Sequence, residues 1–249
     1  MDKDKEKHLQ INTVTLNGAV GNKPVFSHEL YGEGFYEFNL KVPRLSDQCD
    51  VLPVTVSERL LKDVNLEPDS PLAIEGQFRS YNKIEDNRSK LMLTVFVRDF
   101  IADTAALASP NNVSLCGYIC KPPIYRTTPF NREICDVLIA VNRAYNKSDY
   151  IPCIAWGRNA RFMRDLKIGA RITVAGRIQS REYTKRVGET ETVTKTAYEV
   201  SISQASLTGQ QGSFSPSFEG EPRPNDKGFF SSSAETAAAD TGDIAGAEN

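Results

Sequence analysis

The sequence predicts an all-β chain: two tandem copies of a small five-stranded Greek-key barrel, each with one short helix, then a disordered acidic C-terminal tail. Three observations predict it. The chain matches itself without gaps at one constant offset. Val14, Leu16, Gly18 and Pro24 fall on Val113, Leu115, Gly117 and Pro123, Val42 and Arg44 on Val141 and Arg143, and Asp50, Pro53 and Arg59 on Asp149, Pro152 and Arg158. One position further on, Gly76 falls on Gly176 and Ser80 on Ser180. Within each copy, short segments alternate apolar and polar residues at the period of a strand. After Leu207 the chain turns to Gly, Ser, Pro, Ala and Glu with little periodicity.

The second copy shows the elements best. Cys135–Val141 alternates, with Val137, Ile139 and Val141 on one face. Tyr150–Trp156 reads as a further strand. In RNARFMRDLKIG, Phe162, Met163 and Leu166 have helical spacing and Gly169 is placed to end the helix. Arg171–Arg181 alternates strictly: Ile172, Val174 and Ile178 point one way, Arg171, Thr173, Arg177, Gln179 and Arg181 the other. Ala197–Ile202 is a last strand. Strands, one short helix before a further strand and then a hairpin are the plan of an OB fold. A generic β-sandwich is the structural alternative. The expected domains are a diverged OB fold at 11–103, a second OB fold at 111–207 and the tail at 208–249, with ADTAALASPNN as the linker.

Composition narrows the function. No run of about 18 apolar residues is present, so no transmembrane helix is expected. MDKDKEKHLQ lacks an apolar core, so no signal peptide is expected. Five cysteines without a CxxC pair argue against a disulfide framework and a zinc ribbon, and for a reducing cytoplasm. Two histidines, His8 and His28, exclude chemistry built on several. No phosphate-binding glycine loop occurs. Asp136, Asp149 and Asp165 show no shared face for a metal. The expectation is no enzyme, no cofactor and no metal.

Charge is unevenly spread. Residues 1–108 carry 13 Lys/Arg against 17 Asp/Glu, residues 209–249 carry 2 against 7, and residues 109–208 carry 15 against 8. A net +7 within one copy exceeds what solubility needs and points to a polyanion.

Single strands are held by cations along the backbone and aromatic faces for unpaired bases. The second copy interleaves both. Tyr150 and Trp156 share parity on one strand, Arg177, Arg181 and Tyr183 on another, and Arg143 and Tyr145 at the end of a third. Arg126, Lys147, Arg158, Lys185 and Arg186 lie in adjoining turns or hairpin arms. Any one tyrosine reads equally as a barrel-rim residue, and Trp156 as core packing; the group together reads as a site.

Across about 95 residues the second copy resembles the bacterial single-stranded-DNA-binding protein (SSB) family. The resemblance runs over NNVSLCGYICKPPIYRTTPFN, IAVNRAYNKSDYIPCIAWGRNARFM and LKIGARITVAGRIQSREY, and SDYIPCIAWGRNA with GRIQSREY carries its specificity. It implies base stacking on Tyr145, Tyr150, Trp156 and Tyr183, and cations near Arg126, Arg158 and Arg181. It also implies assembly of four OB domains, which two chains would supply as a homodimer.

The first copy departs from that pattern. The four aromatic positions become Ser46, Val51, Ser57 and Lys83. Tyr81 stands near the last if the register slips. Phe35, Tyr36 and Phe38 are expected in core or hairpin packing, and this copy in a structural, assembly or weakly binding role. The tail departs too: DTGDIAGAEN has acidic residues but no terminal aromatic, so the family's docking of replication and repair enzymes is in doubt. The expected function is coating of single-stranded DNA in replication, recombination and repair, in the cytoplasm at the nucleoid. The alternatives are an RNA-binding module, a protein scaffold of a primosome-like complex, and an OB-fold nuclease.

Overall fold

The computed structural model describes residues 12–208 apart from 63, 86–87, 104–106, 108 and 188–190. The first copy contains β1 (Asn12–Val20), β2 (Val25–Leu30), β3 (Glu33–Pro43), β4 (Cys49–Ser57), β5 (Pro71–Glu85) and β6 (Arg88–Phe100). The second contains β7 (Asn111–Ile119), β8 (Ile124–Thr127), β9 (Glu133–Arg143), β10 (Lys147–Trp156), α1 (Arg158–Arg164), β11 (Arg171–Val187) and β12 (Glu191–Leu207). In each, five strands close a barrel. The ladder runs β1-β5-β6-β4-β3 and returns to β1, and likewise β7-β11-β12-β10-β9 returns to β7. β4–β6 and β10–β12 are the parallel pairs. The short β2 and β8 add to β3 and β9 as edge strands. This is the OB-type topology that the alternation predicts.

Alternation decides what fills each barrel. Val137, Ile139 and Val141 of β9 meet Ile151, Cys153 and Ala155 of β10 and Ile172, Val174 and Ile178 of β11 inside the second. Leu40, Val42, Leu52, Val54, Ile74 and Phe78 do the same in the first. Burying each such large side chain is worth about 1.5–3 kcal/mol. α1 adds Met163 and Ala160 to the core, with Phe162 packed against it; the helix ends at Arg164 with Asp165 as its C-cap, so Leu166 reaches the core from beyond it and Gly169, expected to end the helix, lies in the turn that follows. At the matching place the first copy has only a 3₁₀ turn, Glu58–Leu60, whose N-cap is Ser57. The repeated glycines Gly76 and Gly176 sit at β-bulges in β5 and β11. A Cβ on either would stand 2.4 Å from the Phe96 carbonyl oxygen or 2.0 Å from that of Ser201, so nothing larger fits.

The aromatic trio of β3 divides. Phe38 is core and Tyr36 packs against it from partial cover. Phe35 has the opposite parity and lies on the outer face against Phe96 and against His28, its partner across the β2–β3 hairpin.

The two barrels join through β1 and β7, which run antiparallel with Val14 opposite Val113. These two are counterparts in the repeat, so a local twofold axis passes between them. The contacts around it come in pairs. Asn12 exchanges two hydrogen bonds with the Phe78 backbone, and Asn111 exchanges two with that of Ile178. The buried Asp50 accepts from the Ser180 amide at 2.7 Å, and the buried Asp149 from the Ser80 amide at 2.9 Å.

Candidate nucleic-acid interface

β10 positions two of the expected aromatics. Its inward residues are Ile151, Cys153 and Ala155, so Tyr150 and Trp156 project outward from the same face. Trp156, at the strand's end, is 40% exposed and is not core. Tyr150 is half-buried against Cys120, Leu138 and Ala140, and burial, with the nearby Cys120 thiol, pushes its phenol above the usual range. Its amide donates to the Ser80 hydroxyl of the first barrel at 2.7 Å. The floor of the tyrosine is thus the β9 surface, and its backbone is tied across the junction.

Tyr145 lies in the β9–β10 turn and is 94% exposed. It and Asn146 have φ of 62° and 54°, a left-handed pair that is uncommon for a bulky side chain. Tyr183 stands opposite Lys195 in the ribbon by which β11 and β12 extend past the barrel. The four aromatics therefore occupy the outer face, the turn at one end of β10 and the ribbon.

The arginines are set by carboxylates. Arg126 on β8 forks onto Asp136 of β9 at 3.1 and 2.8 Å. Burial outweighs this partner and holds the Asp136 carboxyl above its usual pKa. Arg181 reaches Glu199 at 3.7 Å, and Glu199 also accepts from Gln179 at 2.7 Å. Arg143 pairs with Asp149 at 3.3 Å. Arg177 contacts Asp50 of the first barrel at 3.3 Å. A guanidinium carries its five donors in a fixed fork, so each carboxylate sets the orientation in which its arginine is presented. Lys147 and Arg158 are exposed at the two ends of β10. The side chains of Lys185 and Arg186 lie outside the described residues.

Reasoning on the sequence placed Arg143 and Arg177 only at the strand surface. Their partners Asp149 and Asp50 were named for a repeat, not for this junction, and Ser80 and Ser180 were missed as its donors. Their conserved spacing in the repeat was the available signal.

At the Trp156 position, the first barrel has Ser57. Its hydroxyl donates to Glu33, which also accepts from Arg59 at 2.8 Å. Val51 and Lys83 take the places of Tyr150 and Tyr183. The register does not slip: Ser80 and Ser180 make matching contacts, so Tyr81 stands at the Arg181 position. Among the described residues, no cluster of three His, Cys, Asp or Glu is arranged to hold a metal, and no helix is long and apolar enough to cross a membrane.

The model of the single-strand binding protein family matches residues 110–207. Single-stranded DNA-binding protein 3 of Streptococcus agalactiae is 30% identical over 128 residues, 47% of this chain and 93% of that protein. Single-stranded DNA-binding protein 1 of Lactococcus lactis is 35% identical over 92 residues, 34% of this chain and 61% of that one. The crystal structure of the wild-type single-stranded DNA binding protein from Thermus aquaticus superposes with a TM-score of 0.61 at 19% identity. It covers 82% of this chain and 96% of that one, and shares the fold.

Proposed function

We propose, from the premise that the chain belongs to the single-strand binding protein family, that it binds single-stranded DNA and turns nothing over. One observation carries the reading: Tyr150 and Trp156 share the outward face of β10, with Arg126 on β8 and Arg181 on β11, each one strand beyond its immediate neighbours β9 and β12. Bases stack on Tyr145, Tyr150, Trp156 and Tyr183. Phosphates meet Lys147 and Arg158 and the guanidiniums of Arg126, Arg143, Arg177 and Arg181. Each stacked base contributes about 1–3 kcal/mol and any base has a π face, so sequence preference is weak. Strands exposed in replication, recombination and repair are the substrate class.

The binding unit is the second domain, 111–207. The first, 11–103, supplies the junction, and two chains bring four barrels together. The tail at 208–249 lies almost wholly outside the described residues. Competition tests the reading. Poly-dT displaces a labelled single strand, duplex DNA does so far less well, and the oligonucleotide stays intact with magnesium. Equal displacement by poly-U would move the function to RNA, and by duplex DNA would remove the single-strand reading.

A further inference from the structure

In the second barrel, Trp156 on β10 is paired across the ladder with Ile134 on β9. In the first, the corresponding pair is Ser57 on β4 with Phe35 on β3. The aromatic has changed strand. Directly opposed residues on one face of an antiparallel pair stand only about 5 Å apart. A large ring thus remains on the same patch of the barrel although the aligned position has lost it.

The neighbouring strands extend that patch. The exposed His28 ring, on β2, lies flat on Phe35 at 5.0 Å with 14° between planes. Phe35 meets Phe96 of β6 at 5.9 Å. The Arg79 guanidinium of β5 lies 3.9 Å over the Phe96 ring, and its Nη2 donates to Gln77 at 2.9 Å, which fixes its plane. Tyr81, two residues along β5 on the same face, is exposed. Planar rings and guanidinium planes are what unpaired bases stack on. The patch also meets the second barrel. The residue after Arg79, Ser80, donates to Asp149, and Asp149 holds Arg143. Arg143 and Arg98 lie close enough to Arg79 to repel its charge, with Asp149 the compensating carboxylate. Burial and this repulsion push Arg79 down to about 10. A phosphate there removes an unfavourable excess of positive charge.

We propose that the outer face of the first barrel is a second stacking surface. His28 and Arg79, backed by Phe35 and Phe96, present planar faces to the bases of a strand that continues from the second barrel past Arg143. The inference rests on the single-strand reading above and extends it to residues that the family's aromatic positions do not include.

The test uses the full chain with two lengths of oligo-dT: about 10 nucleotides, within the 4–16 that one OB fold occupies, and about 30, enough for two. Trp156 emission reports the second barrel for both. Phe96→Leu and His28→Ala are expected to weaken the long oligonucleotide by about tenfold while the short one binds as before. Photo-cross-linking of iodouracil-substituted long strand is expected to label the β2–β3 or β6 peptides. Retention of wild-type affinity for the long strand in both variants, with no label in those peptides, overturns the second surface and leaves the first intact. Failure of both lengths to quench Trp156 in the unmodified protein overturns the single-strand reading itself, and this inference with it. If Phe96→Leu fails to fold, His28→Ala, at an exposed position, and the cross-link map decide.

Discussion

Asp50 and Asp149 are counterparts in the repeat, and each accepts the amide of a serine in the opposite barrel, at 2.7 and 2.9 Å. Both carboxylates are almost fully buried, at 1% and 2% side-chain exposure. Each also pairs with its own barrel's arginine, Arg44 at 2.6 Å and Arg143 at 3.3 Å. The junction is therefore a pseudo-symmetric exchange rather than a linker contact. Asp149→Ala strands the Ser80 amide and the Arg143 charge and is expected to cost about 3 kcal/mol in urea unfolding. Burial holds the Asp149 carboxyl above its usual pKa, so its charge is incompletely compensated. Asp149→Asn keeps an acceptor for Ser80 and is expected to cost clearly less than Ala. Equal losses for the two would show that charge, not the hydrogen bond, holds the junction.

Stacking is testable residue by residue. Tyr150→Ala and Trp156→Ala are each expected to weaken poly-dT binding by about 10-fold or more, at the 1–3 kcal/mol of a stacked base. Ser57→Ala, at the Trp156 position of the first barrel, leaves binding unchanged. Gel shifts at one fixed salt concentration read all three.

Phosphate contacts set the salt response. The logarithm of affinity is expected to fall against the logarithm of salt with a slope of about 0.7 per phosphate neutralised on a single strand. Replacing the exposed Arg158 by Gln removes one such contact and lowers the slope by about that amount. An unchanged slope would take Arg158 out of the phosphate path.

Thiol chemistry follows burial. Cys49 is exposed, whereas Cys116, Cys120, Cys135 and Cys153 are buried. Burial pushes Cys120 and Cys135 up to about 11 and Cys153 well above the usual thiol range. The native protein is expected to show one fast-reacting thiol toward an aromatic disulfide reagent, lost in Cys49→Ser. Fast reaction in that variant would mean that the second barrel opens locally.

Glu33 gives a pH signature. The Ser57 hydroxyl is the main cause that holds its carboxyl below the usual range; desolvation opposes it, and Arg59 adds to the lowering. A group with a depressed folded pKa contributes stability above its unfolded value, and loses it as pH falls through the folded one. A carboxyl titration by NMR is expected to find Glu33 low, and Ser57→Ala to move it back up. A midpoint that does not respond would contradict the hydrogen bond.

Periodicity and the repeat made the barrels legible, since an inward parity over Val137, Ile139 and Val141 leaves little choice of face. The outward placement of Trp156 and Tyr150 followed from the same parity on one strand. Phe35 was expected in core or hairpin packing and packs in the β2–β3 hairpin, but its place beside the Trp156 position was not legible, because matching the copies position by position asks what replaces Trp156 on its own strand, and Ser57 answers for it. Pairing across the ladder is a tertiary fact, and only register shows that Phe35 faces Ser57. The junction was hidden for the same reason: Ser80 and Ser180 look like ordinary strand residues until the opposite barrel's carboxylate is placed on them.

The most direct measurement is Trp156 emission during titration with poly-dT, at low and moderate salt. The chain has one tryptophan, so the signal reports the outer face of β10 alone. Quenching that saturates at a defined ratio of nucleotide to protein, weakens with salt and is blunted by Tyr150→Ala is the predicted result. Emission that stays constant while poly-dT is bound, or no binding at all, would contradict the assignment of that face to the single strand.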